Sequence, residues 1–314
     1  MTAADTNAGD RVTVTLSAVV VAATRAGPLV LTLRDGGGRP PSLPSGPLEA
    51  NHRTLEAGLR AWVEERTHQS IGHVEQLYTF GDRDRGGPGG GGRALSIGYL
   101  ALVREARPPA AEDAGWHDWY RHLPREDRRD GRPPVLDAIE DGLARWVAAA
   151  PAGDERRRRG ERVRTTFAGG DAPWIEDRVL ERYELLYEAG LVAEAAGAAP
   201  VPSEPMAADH RRILATGIGR LRGKIKYRPL VFELMPPAFT FLQLQRTVEA
   251  LAGVRLHKPN FRRLVEQQGL VEETGETTQE TGGRPAGLWR FRPEVTLERP
   301  TPGMKLPRTR LPAG

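Results

Sequence analysis
The stretch RVTVTLSAVVVAAT, residues 11 to 24, leaves this chain the fewest choices of fold. β-Branched and apolar residues dominate it, and a short break, RAG, separates it from PLVLTLRD at 28 to 35, so the two read as a strand pair. Two further strand-like runs follow, HVEQLYTF (73 to 80) and ALSIGYLALV (94 to 103), and WHDWYRHLP (116 to 124) reads as a short strand and turn. Between strands, residues 54 to 65 place Leu55, Leu59, Trp62 and Val63 on one face at helical spacing. The glycines of GDRDRGGPGGGGR (81 to 93) suit an anion-binding nest or a flexible hairpin loop. With no lysine and no following helix to complete a phosphate-binding motif, the loop is favoured.

Helical patterning takes over beyond this point. PPVLDAIEDGLARWVAAA (133 to 150), WIEDRVLERYELLYEAGLVAEAA (174 to 196) and DHRRILATGIGRLRGKI (209 to 225) predict three amphipathic helices, the last with Ile213, Leu214, Ile218 and Leu221 on one stripe. ERRRRGER (155 to 162) predicts a solvated linker, and GAAPVPSEP (197 to 205) a break.

The last region changes rhythm. FTFLQLQRTVEALAG (239 to 253) has a threonine suited to an N-cap and ends in glycine. VRLHKP turns the chain into NFRRLVEQQG (260 to 269), and LVEETG and LWRFRP then read as strands round the loop ETTQETGGRPAG. Helix, turn, helix and hairpin is the order of a winged helix-turn-helix. Its second helix carries Lys258, Asn260, Arg262 and Arg263, side chains able to pair with guanine or adenine edges, and Arg284 lies in the hairpin tip. Charge agrees: residues 203 to 314 hold 19 Lys or Arg against 11 Asp or Glu, a net +8, whereas residues 1 to 202 carry −4. A basic third on an acidic body points to a polyanion partner.

Absences narrow the class. With no cysteine, disulfides, thiolate metal sites and a cysteine nucleophile are excluded. No apolar run is long enough to span a bilayer, and MTAADTNAGDRV has no basic segment leading into an apolar one. A cytoplasmic protein without a membrane partner is expected.

GPLEANHRTLEAGLRAWVEERTH, residues 46 to 68, resembles a Nudix box: Gly, five residues, Glu, seven residues, then Arg-Glu-apolar-any-Glu-Glu-any-Gly-apolar. Gly46, Arg60, Glu64 and Glu65 match, with Trp62 at the apolar position. His52 and Ala61 stand where the box has glutamates, and Thr67 and His68 replace its closing pair. Pyrophosphate hydrolysis needs Mg²⁺ held by several carboxylate oxygens on one helical face. Losing two of those groups leaves no metal site, or a weak one at Glu64 and Glu65. A vestigial box that catalyses nothing is expected; the alternative is that these glutamates are only surface charges of an amphipathic helix, pairing with Arg60 or His68.

Together the two halves resemble the Nudix-related transcriptional regulators of NAD metabolism, in their longer alphaproteobacterial branch. The resemblance rests on EQLYTFGD (75 to 82), SIGYLAL (96 to 102), DHRRILATGIGRLRGKIKYRPLVFELMPPAFT (209 to 240), LHKPNFRRLVE (256 to 266) and GGRPAGLWRFR (282 to 292). It covers most of residues 12 to 124 and 206 to 293.

The resemblance implies an α+β protein: a Nudix-like α/β/α sandwich over 12 to 124 completed by helix 206 to 224, a helical insertion at 125 to 205, a winged helix-turn-helix at 225 to 300, and a tail at 301 to 314. It implies a homodimeric repressor of NAD biosynthesis or salvage genes that binds a double-stranded DNA operator. No cofactor is required; ADP-ribose or NAD acts as a nucleotide effector, through contacts no motif marks. The competing readings are a Mg²⁺-dependent Nudix pyrophosphohydrolase with an accessory winged helix, and a nucleotide-sensing adaptor that binds protein.

Overall fold
The computed structural model describes residues 11–34, 36–81, 92–109, 111–279, 285–298 and 303–304. The expected strand pair exists: β1 (Arg11–Ala23) runs antiparallel to β2 (Pro28–Leu33), with Val21 opposite Val30. On its other side β1 lies parallel to β5 (Gly92–Leu102), Val20 facing Ala101. β4 (Val74–Phe80) and β6 (Ala114–Asp118) form the two edges, giving the order β4-β5-β1-β2-β6, and the short β3 (Ser45–Pro47) also pairs with β1.

The near-continuous apolar run of β1 has a simple cause, since a central strand is covered on both faces. Leu16, Ala18, Val20 and Ala22 pack towards α1 (Leu55–Thr67) through Leu59 and Val63. Val19 and Val21 point the opposite way, into the cluster that holds Ile213, Leu214, Ile218 and Leu221 of α5 (His210–Ile225). Each such side chain contributes roughly 1.5–3 kcal/mol on burial. One helix on either face of a mixed sheet makes the α/β/α sandwich.

Two 3-10 turns (Trp119–Arg121 and Pro124–Glu126) lead from β6 into α2 (Val135–Ala148), α3 (Asp154–Thr166) and α4 (Val179–Glu188). Their apolar residues, among them Leu136, Ile139, Leu143, Val179 and Leu186, join the same cluster as α5, so this segment shares the sandwich's core. The solvated linker expected at 155 to 162 is instead part of α3. That helix buries no residue but is laced by Asp154–Arg157 (3.0 Å), Glu155–Arg158 (3.1 Å) and Glu155–Arg159 (3.0 Å), while Arg159 lies 4.3 Å over the Trp146 ring. Pairs three and four apart, in a segment of good helix formers, sustain a helix without an apolar face. The helix expected over 174 to 196 is also shorter: only Val179–Glu188 is helical, and Gly190 adopts φ +70 beyond its end.

A 3-10 turn (Leu230–Leu234) opens the last region, followed by α6 (Phe241–Ala252), α7 (Lys258–Gln267), β7 (Val271–Thr278), β8 (Ala286–Phe291) and the short α8 (Val295–Glu298). Thr240 caps α6 as expected, its hydroxyl accepting from Gln243 N–H while the Gln243 side chain accepts from Thr240 N–H. Phe239 adds a backbone bridge to Trp289, and Phe232 stacks on Phe291 at 4.4 Å, so the hairpin is tied to the approach to α6. The glycine-rich loop is described only at Gly81 and from Gly92 onward, and the tip of the wing, with Arg284, lies outside the described residues.

Gly253 ends α6 at φ +73, and a Cβ there would stand 2.2 Å from the Glu126 carbonyl oxygen. Gly253→Ala is expected to cost about 3 kcal/mol, left-handed backbone and overpacking together. Gly170, at φ +61 with no atom within 4 Å of such a Cβ, isolates the backbone part, and Gly170→Ala should cost only about 1 kcal/mol in the same chemical denaturation experiment.

Candidate functional site
The start of α7 is built to present charge. Phe261 and Val265, one turn apart, are its buried residues and turn one side of the helix into the core. Lys258, Asn260, Arg262 and Arg263 are consequently all exposed. Arg262 donates to Glu266 (2.8 Å) and lies 5.0 Å over the Phe241 ring, while Arg263 reaches Asn260 Oδ1 at 3.4 Å. These contacts are surface pairs worth well under 1 kcal/mol, so they orient the guanidiniums without withholding them from a stronger acceptor. Four of the five residues expected to read DNA therefore share one exposed helix.

The box residues are used differently. Gly46 lies in β3 beneath Trp62, and a Cβ at this position would fall 2.0 Å from the indole nitrogen. Arg60 donates to Glu56 (2.9 Å) and to the carbonyls of Ile71 (2.6 Å) and Gly72 (2.9 Å), fastening the loop that follows α1. His52, in a glutamate's place, packs over Gly58 and accepts from Glu49 N–H at 3.2 Å. The matched glycine and arginine thus hold the helix in position.

Glu64 and Glu65 are exposed, and neither forms an ion pair among the described residues, so the alternative in which they pair with Arg60 or His68 is not what the fold adopts. Glu64, His68, Arg104, Arg107 and Glu233 help line a cavity of about 660 Å³ at the end of α1; Glu65 is not in its wall. No group of three or more His, Asp or Glu able to hold a metal ion occurs among the described residues.

One cluster was invisible to sequence reasoning. The Glu126 carboxylate, fully buried, accepts two 2.7 Å bonds from Arg182 of α4 and one of 3.0 Å from Arg222 of α5, with Arg125 at 3.5 Å. Arg222 also donates to Leu251 O (2.9 Å) and to the Tyr120 hydroxyl (3.1 Å), which itself donates to Ala250 O at 2.6 Å. The sandwich, the added helices and the C-terminal end of α6 all meet here. Burial pushes the Glu126 carboxyl up, but the surrounding guanidiniums outweigh it and hold the group below the usual carboxylate range. Burial pushes Arg125 down to about 10. The available signal was an arginine inside an apolar stripe: Arg222 stands four residues after Ile218.

This architecture defines a class, a Nudix-like sandwich joined to a winged helix. Residues 231–291 match the family of the NrtR DNA-binding winged helix domain. The chain is 42% identical over 86 residues to the ADPR responsive transcriptional repressor NtrR of Acinetobacter baylyi, a match covering 27% of this chain and 34% of that protein. It thus spans about a third of that relative's length. NrtR of Shewanella oneidensis, solved in complex with a 27mer DNA, has a similar fold (TM-score 0.54, 20% identity, 90% of this chain and 95% of that one). So does a MutT/nudix family protein from Enterococcus faecalis (TM-score 0.53, 16% identity, 90% and 87%). The α+β fold and the resemblance to the Nudix-related regulators are borne out. No helix among the described residues is long and apolar enough to cross a membrane.

Glu126→Gln should lower stability by about 3–5 kcal/mol at neutral pH, because it leaves buried guanidiniums without their counter-charge. The folded-state pKa of Glu126 is depressed, so its contribution is complete above the unfolded carboxylate value and lost as pH falls through the folded one. Urea unfolding across pH should therefore show a constant gap between wild type and variant at neutrality that closes under acid.

Proposed function
We propose that this protein is a transcriptional repressor of NAD biosynthesis or salvage genes whose hold on its DNA operator responds to a nucleotide such as ADP-ribose or NAD. The observation that carries this reading is a winged helix of the NrtR type at 231–291 whose second helix exposes Lys258, Asn260, Arg262 and Arg263 together. Side chains of this kind at the start of such a helix suit major-groove base edges. The name of the A. baylyi relative, responsive to ADPR, supports the effector class.

The cavity beside Glu64 is the proposed effector site. Its volume lies within the range of small-ligand sites, and its wall runs from the end of α1 to Glu233 and Pro237, which lead into the winged helix. A nucleotide there touches both halves at once. A homodimer follows from a two-fold operator, since half-site spacing mirrors protein symmetry, and the cytoplasm is its place of action. Arg284 is proposed as a wing contact to the DNA backbone. Mg²⁺ enters only under the second reading, a pyrophosphohydrolase, which the exposed, unpaired Glu64 in the cavity wall favours.

Fluorescence anisotropy with DNA from upstream of the host's NAD-biosynthesis genes, with and without ADP-ribose or NAD, tests the reading. Selective binding that a nucleotide alters is expected, and binding of scrambled DNA with equal affinity would overturn it. The double substitution Arg262→Ala, Arg263→Ala should cost at least about 1–3 kcal/mol, fivefold or more in affinity. Glu64→Gln with Glu65→Gln should leave DNA affinity within twofold; abolition of a Mg²⁺-dependent turnover by this pair would establish the hydrolase instead.

A further inference from the structure
A second cleft, of about 380 Å³, lies between the turn joining β1 to β2 and the winged helix. Thr24 and Arg25 of the turn form one wall; the cap Thr240, Gln243 and Arg246 of α6, and Thr278 of β7 form much of the other. Among the described residues that line it, none is an Asp or Glu. The cavity at the end of α1 differs, with Glu64, Glu105 and Glu233 in its wall, and so does the one beside α5, with Asp177 and Glu181. This cleft alone of the three combines two arginines with hydroxyl and amide groups and excludes carboxylates. Over a floor that includes Leu234, Met235 and Pro236, its polar side has the composition of a site for a phosphate.

Its position identifies the source of the phosphate. Phe241, the first residue of α6, lies edge-on to Trp289 of β8 and under Arg262 of α7, and the next residue, Leu242, lines the cleft. Thr278 is the last residue of β7 before the wing. The cleft therefore opens between the β1–β2 turn and the start of α6, with the end of β7 at its rim and Phe241 linking that start to Arg262 of α7. Arg25 is held at the turn by bonds that close it, Thr24 N–H and Thr24 Oγ1–H both donating to Gly27 O at 2.9 and 3.0 Å. Arg246 is exposed and makes no ion pair among the described residues. The N-terminal end of α6 adds its positive dipole to both.

We propose that this cleft receives a backbone phosphate of the bound DNA, so that the Nudix-like domain, through Arg25, grips the operator beside the winged helix. The proposal rests on the DNA-binding reading above. It gives the effector domain a direct hand on DNA: a shift of the β1–β2 turn against α6 separates Arg25 from Arg246 and dissolves the phosphate site, with no rearrangement inside the winged helix.

Phosphate contacts carry no sequence information but release counterions. Full-length wild type, Arg25→Ala, Arg246→Ala and Arg25→Lys are compared by anisotropy, across a salt series, on a labelled duplex from upstream of the host's NAD-biosynthesis genes and on a scrambled duplex of equal length. Each alanine variant should reduce the slope of log K against log salt by about 0.9 per protomer bound, about 1.8 for the dimer, and weaken both duplexes by the same severalfold factor. Arg25→Lys should restore the slope. Unchanged affinity and slope in both alanine variants, while wild type binds, would overturn the cleft and leave the repressor reading intact. An altered response to ADP-ribose with unchanged DNA affinity would overturn it too, by giving the cleft to the effector. Wild type that binds neither duplex removes the repressor reading, and the cleft's role with it.

Discussion

The carboxylate of Glu126 is the point on which the chain's parts are fixed to each other. A single buried negative charge is shared among Arg182, Arg222 and Arg125, and the first of these holds it with two parallel bonds. Desolvating so many charges is expensive, and the cost is offset only if each keeps its partners in good geometry. Here the remaining donors of Arg182 and Arg222 find backbone carbonyls, at Ile175, Glu176, Leu251 and Glu126 itself. Removing Glu126 strands all three guanidiniums at once. Such a node does little for net stability compared with an apolar core, but it admits one arrangement of its four segments, because charge-assisted bonds have fixed directions.

The consequence for the winged helix is positional. The end of α6 is held by the Tyr120 hydroxyl on Ala250 O, by Arg222 on Leu251 O, and by Arg128 N–H donating to Gly253 O at 2.7 Å. Its other end forms the wall of the arginine-lined cleft. α6 is thus a bar pinned at its C-terminal end by the node, with its N-terminal end at the arginine-lined cleft. α7 packs on it through Phe261 and Val265, so a small rotation about the pinned end moves the exposed arginines together. Packed interfaces of this kind switch between discrete arrangements more readily than they deform.

Much of this fold was legible because its elements announce themselves by period. β1 and β2 were visible as β-branched runs, α5 as a stripe of Ile213, Leu214, Ile218 and Leu221, and α6 by Thr240 and Gly253 at its two ends. α3 was not, since a helix held by charge pairs and by an arginine over Trp146 has no buried face to produce a period. Position within the box was legible, but role was not. Gly46 and Arg60 match a catalytic pattern, yet what they touch is an indole ring and two loop carbonyls. The node could not be read either, because Glu126 lies 56 residues from Arg182 and 96 from Arg222, and no spacing encodes such a meeting.

The same meeting decides what the segment 125 to 205 is. As sequence it looks like an addition, because the strands and helices round it already suffice for a sandwich and a winged helix. In the fold it supplies both Glu126 and Arg182, the carboxylate and the arginine that shares it most closely. Glu194 of the same segment pairs with buried Arg211 in the first turn of α5, and Ser203 accepts from that arginine at 2.7 Å. Without the segment, Arg222 and Arg211 would face the core on α5 with no counter-charge, on a helix that both backs the sheet and leads to the winged helix. The segment is the floor on which α5 and α6 stand, and any movement passing from the sandwich to α7 along those helices crosses it.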